Sequence, residues 1–485
     1  MYQANNEKIE KGSIDWISVG FYLLFIIMGW FSIYAASFDL DNATSIFDLS
    51  GRAGKQLIWM GASLIVAFAI MKIDTSFYET YALLFYSIGI LLLLITLVIA
   101  PDINGSRSWF VLGPIRFQPA EFMKFLIALA LSRIFNMFNF KLMTTKNLLL
   151  VSTVILLPAL IVIMQSETGT ALVYLSFILV LYREGLPGVI LFIGLAAIAL
   201  FVMGVKFSAD LMGMFSLGEF INMILIILFI VVLIWAYVRR WRTAVYVLGL
   251  SGSIFLAAFL TSLFGIKVDY SLVALIALIS VIFYVIYLFL RYRLRDYLWI
   301  LLFALFSIAF TESIEFAFND VLQPHQQMRI KVALGMEEDL QGSGYHVGQS
   351  KIAIGSGGLS GKGYLNGTQT KLKYVPEQDT DFIFCTIGEE FGFIGSSVIV
   401  ILFLIFIIHL ATIAERQTTI FGRVYGYGVV SVFAFHLLVN IGMVIGLVPV
   451  IGIPLPLFSY GGSSLLGFTI MLFIFLRIDQ TRRRL

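Results

Sequence analysis

Glu121 and Lys124 are three residues apart, so on a helix they share one face. They stand inside an apolar run, where a charged pair is costly unless it is buried in protein or faces water. The pair reads either as an interfacial ion pair with snorkelling side chains or as a pair that binds an anion or orients a substrate. A second polar break, Gln165-Ser166-Glu167-Thr168-Gly169-Thr170, lies between two apolar runs with no room for a loop. It reads as a tight turn or a broken helix carrying one acid, Glu167. A third begins at Asn440, runs through Pro449, Gly452, Pro454 and Pro456, and ends in Ser459-Tyr460-Gly461-Gly462-Ser463-Ser464. Pro and Gly clusters at membrane depth mark non-helical backbone lining a cavity. The fourth is glycine-dense, with Gly342, Gly344, Gly355, Gly357, Gly358, Gly361, Gly363 and Gly367. Glycines permit close approach of backbone to ligand, and exposed backbone N–H groups can hold an anion. Interleaved Ile, Leu and Tyr argue against a plain linker. Taken alone, Asp339 in Glu337-Glu338-Asp339 reads as a solvated loop acid, and His409 and His436 read as packed or capped residues in apolar helices. Glu389 and Glu390 open a helix, where acids suit the positive end, or else they face a cavity.

The elements that must position these residues are membrane helices. Of 485 residues 60% are hydrophobic and 13% charged, and the mean hydropathy is +0.96. That excludes a soluble globular domain and a disordered chain. A net charge of +3 gives no footing for nucleic acid. The single cysteine, Cys385, cannot form an internal disulfide, and with four histidines the chain lacks the usual makings of a structural zinc site. About fourteen apolar segments are long enough to be read as crossings: 17–36, 54–71, 79–100, 119–138, 148–164, 170–183, 187–206, 217–238, 243–265, 270–290, 298–314, 382–411, 424–448 and 462–477. The expected fold is an all-α, polytopic, single integral membrane domain spanning 1–485. The runs are too continuous for a β-barrel. The first run is followed by no small-residue cleavage site and reads as a retained helix. Lys and Arg concentrate at Lys8, Lys11, Lys72, Lys141, Lys146, Arg183, 239–242, 291–295, Arg416, Arg423 and 482–484, which places both termini in the cytoplasm. Arg52, Arg107 and Arg116 run against that trend. The large loop at 319–380 and the smaller one at 101–118 then fall on the extracytoplasmic side, and all four polar breaks face it.

These breaks carry a resemblance. Asn104-Gly105-Ser106-Arg107-Ser108-Trp109, Gln118-Pro119-Ala120-Glu121-Phe122-Met123-Lys124, Gln165–Thr170, Gly342–Lys362, Gly367-Thr368-Gln369, Pro376–Phe382, Glu389-Glu390-Phe391-Gly392 and Asn440–Ser464 resemble the SEDS family, the bacterial shape, elongation, division and sporulation proteins. The Gly367-Thr368-Gln369 stretch before Pro376-Glu377 favours its rod-shape, elongation branch. The sequence departs from the family pattern at Ser166 and Glu167, where Pro and Asp are usual, and at Asp379, where His is common. The family has about ten spans; the surplus of about four lies within 187–314, where no family motif occurs.

The resemblance implies a peptidoglycan glycosyltransferase of the bacterial cytoplasmic membrane that polymerises lipid II on the outer face. Its partners would be a class B penicillin-binding protein and other elongation-complex membrane proteins. The family's essential acid maps to Asp339. Such a transfer inverts the anomeric centre in one displacement, with one base for the acceptor hydroxyl and positive charge for the departing pyrophosphate. Asp339 is the expected base. Arg107, Lys124, Arg329 and Lys362 are the expected pyrophosphate ligands, since Arg and Lys both grip phosphate oxygens. Glu121, Glu167 and Ser459 complete the expected substrate-binding set. A divalent cation such as Mg2+ or Mn2+ could share the charge, but the sequence shows no dedicated ligand cluster and marks no cofactor with certainty. The alternative reading is a lipid II flippase, which intramembrane polar breaks would also suit. A flippase needs polar groups through the whole membrane, whereas here they gather on one side.

Overall fold

The computed structural model describes residues 13–38, 45–102, 106–112, 115–337 and 343–481. Asp339 and the terminal arginines 482–484 lie outside the described residues.

In chain order the helices begin with α1 (Trp16–Ser37), α2 (Arg52–Lys72) and α3 (Thr75–Ile99). A short antiparallel ribbon, β1 (Phe110–Leu112) and β2 (Ile115–Phe117), leads into α4 (Pro119–Phe135). Then come α5 (Thr145–Met164), α6 (Thr168–Leu175), α7 (Ile178–Arg183) and α8 (Gly188–Lys206). A second ribbon, β3 (Leu211–Met212) and β4 (Phe215–Ser216), precedes α9 (Leu217–Ala236), α10 (Trp241–Leu263), α11 (Tyr270–Tyr292) and α12 (Arg295–Phe316). After one π-helical turn at Ala317–Val321 follow α13 (Pro324–Ala333), α14 (Ser343–Ser356) and α15 (Thr368–Lys371). The chain closes with α16 (Ile383–Glu415), α17 (Ile420–Val444) and α18 (Gly462–Gln480).

Every apolar run expected to cross the membrane is helical. Among the described residues twelve helices are long and apolar enough to span. The other two runs differ for stated reasons: α4 has 17 residues and carries Glu121, Lys124 and Arg133, and the 168–183 stretch is broken between Leu175 and Ile178. The expected loop at 319–380 is not plain loop, since it contains α13, α14 and α15.

The chain divides into two compact units, 1–186 together with 340–485, and 187–339. In the first, α17 and α18 are mostly buried, whereas α3 exposes most of its surface, as a lipid-facing helix should. Its core is aromatic: Phe25 stacks on Phe403 with ring centroids 4.1 Å apart, and Phe406 and Phe468 both meet Phe433. The second unit gathers α8–α12 around Ile230, Ile234, Val247, Ala274, Ala277, Val281 and Ile300. Asp269, the N-cap of α11, accepts from the Met214 and Ser271 backbone N–H groups at 2.9 Å each and so fastens the β3–β4 turn. Ser216 and Glu219 form a capping box that starts α9.

Candidate active site

Pro119 opens α4 and Glu121 sits in its first turn, the favourable end for an acid. Lys124, on the same face, donates to both Glu121 oxygens at 2.8 Å, and both side chains are almost wholly buried. This pair is enclosed by protein, so the snorkelling alternative falls away. The Lys124 Nζ also lies 3.0 Å from His436 Nε2 on α17. His436 Nδ1 is 3.0 Å from the Pro454 carbonyl oxygen. A carbonyl only accepts, so Nδ1 donates there and Nε2 is left as the acceptor for Lys124. All three ammonium protons are thereby used. His436 and Phe468 meet edge to face, and Lys124 rides 5.0 Å over the Phe468 ring. His436, expected from the sequence to be packed or capped, is packed and also completes a buried Glu121–Lys124–His436 set.

The non-helical segment between α17 and α18 is held by its own carbonyls. Asn440, one turn beyond His436 on α17, donates to the Ile453 carbonyl at 2.7 Å and to the Asp381 carbonyl at 2.8 Å. Ser459 Oγ accepts from Leu455 N–H at 2.9 Å, and Tyr460 N–H donates to the Asp379 carbonyl at 2.8 Å. Gly169, at the start of α6, faces the Ile451 carbonyl with no room for a Cβ. The 165–170 break is thus a turn, with Ser166 at φ 64°, docked against this segment.

Glu167 is partly buried, and its Oε1 accepts from Ser106 Oγ at 3.0 Å and Ser108 Oγ at 2.8 Å. Arg107 lies between those serines, exposed, with its backbone N–H donating to the Gln165 carbonyl. Asp379 is buried and paired with Arg52, which also lies over the Tyr460 ring. Lys362 is placed differently from expectation. It donates at 2.7 Å to Glu389, a fully buried carboxylate that also accepts from the backbone N–H groups of Thr368, Gln369 and Thr370. Ser459 is likewise spent inside the fold. Arg329 belongs to α13 in the second unit, where it is partly buried.

Asp381 drew no attention in the sequence beyond its motif. Its partly buried carboxyl has no hydrogen-bond or ion-pair partner among the described residues, and it packs beside the Cα of Gly452. It is pushed up to about 7, first by burial and then by the negative charges of Glu377, Glu167, Asp379 and Glu121. Among the described residues no three His, Cys, Asp or Glu side chains converge as a metal cradle.

The family model described as cell cycle protein, FTSW_RODA_SPOVE, matches residues 15–217 and 213–484. The peptidoglycan glycosyltransferase RodA of Treponema pallidum is 30% identical over 85% of this chain and 86% of its own length. The peptidoglycan glycosyltransferase MrdB of Escherichia coli is 29% identical over 87% of this chain and 85% of its own. A chain from a solved peptidoglycan synthase complex that coordinates polymerization and crosslinking superposes with a TM-score of 0.59 at 22% identity, covering 96% of this chain and 98% of that one; it shares the fold. Matched from end to end by that model, this multi-pass protein of the cytoplasmic membrane belongs to the FTSW_RODA_SPOVE cell cycle protein family.

Proposed function

We propose that the chain is a peptidoglycan glycosyltransferase that polymerises lipid II into glycan strands on the outer face of the cytoplasmic membrane, for cell elongation. The observation that carries this reading is the buried Glu121–Lys124–His436 set, tied through Pro454 to a non-helical segment at one end of the helix core. That is the kind of preorganised, water-poor frame on which glycosyl transfer relies.

In the mechanism Asp339 takes the proton of the acceptor hydroxyl as that oxygen attacks the anomeric carbon, and the lipid pyrophosphate departs unprotonated. Lys124 and Lys362 are committed to Glu121 and Glu389. Arg107, exposed and without a carboxylate partner among the described residues, is the better placed cation to receive pyrophosphate oxygens. Lys124 instead fixes the frame. The termini are cytoplasmic, and about four helices of 187–314 are additions to a ten-helix core. A class B penicillin-binding protein crosslinks the product.

Glycan synthesis from purified lipid II, by the full chain alone and with its partner synthase, tests the reading. Wild type should yield strands, and Asp339→Ala and Asp339→Asn should yield none while folding normally. Polymer from either variant would remove Asp339 as the base; none from wild type under both conditions would remove the activity.

A further inference from the structure

Three carboxylates stand around the segment that follows α17, and two are spoken for. Glu167 accepts from Ser106 and Ser108, and Asp379 is paired with Arg52. Asp381 is the third. Its backbone carbonyl is anchored by Asn440, so the residue is fixed in place while its carboxyl is left with nothing to bind among the described residues. Gly452, at φ 68°, brings bare Cα against that carboxyl, and a Cβ there would sit 3.4 Å from Oδ2. A rigidly anchored acid with an unused polar head and a side-chain-free neighbour is built to meet something that is not protein.

The surroundings say what. The charged groups that act most strongly on Asp381 are Glu377, Glu167, Asp379 and Glu121, all acids. Arg52 is held by Asp379 and Lys124 by Glu121. His346 faces Phe382, the next residue along. An anion such as pyrophosphate is repelled here, whereas hydroxyl and acetamido groups of a sugar are not. We propose that Asp381 works as a neutral carboxylic acid, donating a hydrogen bond to an uncharged hydroxyl or acetamido oxygen on the sugar part of the lipid-linked substrate, with Glu167 beside it as an acceptor. The inference rests on the glycosyl-transfer reading and deepens it: it assigns a sugar hydroxyl or acetamido group to the Asp381 carboxyl and leaves the pyrophosphate to the exposed Arg107. Burial and the four neighbouring acids keep the proton on up to about pH 7, so the donor is present below that pH and lost above it.

The experiment measures lipid II polymerisation by the full chain with its partner, from about pH 5.5 to 9, for wild type, Asp381→Asn and Asp381→Leu. Asn keeps an N–H donor that does not titrate; Leu keeps the volume alone. Asp381→Asn should retain activity within about threefold of wild type and lose the decline above neutral pH, while Asp381→Leu should fall about tenfold or more, with KM for lipid II raised. An Asn variant as inactive as Leu overturns the proposal and points to the charged form, or to a divalent cation if added Mg2+ or Mn2+ shifts the wild-type profile. A Leu variant near wild type overturns it as well. Should Leu fail to fold, the comparison of Asn with wild type across pH still decides. Failure of the underlying reading shows separately, as no polymer from wild type at any pH.

Discussion

The two units bury different things. The first hides Glu121, Lys124, His436, Asp379, Glu389, Glu390, Arg477 and Asp479 in its interior. The second, among its described residues, hides no charged side chain; its buried polar residues are Asn222, Ser251, Ser271 and Ser307. Both are bundles of apolar helices, so hydrophobicity does not separate them. What separates them is that buried charge is costly unless fully paired, and only the unit with family motifs bears that cost. Buried charge is therefore confined to the first unit among the described residues, and the helices of the second are packed by apolar and small polar side chains.

The most severe test of this contrast is Lys124→Met, which strands Glu121 in the core. It should cost about 3–5 kcal/mol of stability, read as a large fall in the thermal midpoint in detergent. Pairing it with Glu121→Leu should return much of that stability without returning glycan synthesis. If the double variant synthesises normally, the buried pair is scaffolding and the contrast loses its functional meaning. A smaller effect is expected at Glu389→Gln, which removes the charge that gathers Lys362 and three backbone N–H groups. About 2 kcal/mol should be lost, and amide exchange should accelerate at residues 362–371 before it does elsewhere; uniform exchange would mean that Glu389 does not fasten this stretch. The mildest belongs to the second unit. Asn222 Nδ2 donates to the Leu200 carbonyl at 3.0 Å while its Oδ1 has no partner. Asn222→Leu should stay within about 1 kcal/mol of wild type and leave polymerisation unaltered. A lost activity there would show chemistry where none is expected.

Much of this architecture is written in local sequence. Hydropathy is a property of a window, so each apolar run could be read as a helix, and the three-residue spacing of Glu121 and Lys124 predicted their shared face. His436 escaped because its partner Lys124 is 312 residues away in the chain. Its position four residues before Asn440 on α17 was the available clue, a polar stripe on an otherwise apolar helix. Lys362 was assigned to pyrophosphate because a lysine in a glycine-rich stretch gives no sign that a buried glutamate 27 residues on will claim it. Glu389 hid its own role, since half of its donors are backbone N–H groups, which every residue but proline has. Asp381 was hardest of all: its distinction is the lack of a partner, and a sequence displays residues but not vacancies between them. The short helices of 324–371 show little apolar periodicity: α13 mixes polar and apolar residues, α14 carries glycines, and α15 is a single turn.

The break at Gly392 has a consequence for how the protein fits its lipid. As one straight rod, the 33 residues of α16 would rise roughly 50 Å, well over the ~30 Å of hydrocarbon in a bilayer. Gly392, at φ 64° and ψ −163°, bends the helix, and the freed N–H groups of Phe393 and Ile394 are taken up by the carbonyls of Gly358 and Leu359. What remains beyond the bend, residues 393–415, measures roughly 34 Å, a length that matches the slab with a modest tilt. Glu389 and Glu390 therefore ride on a separate short rod at the rim.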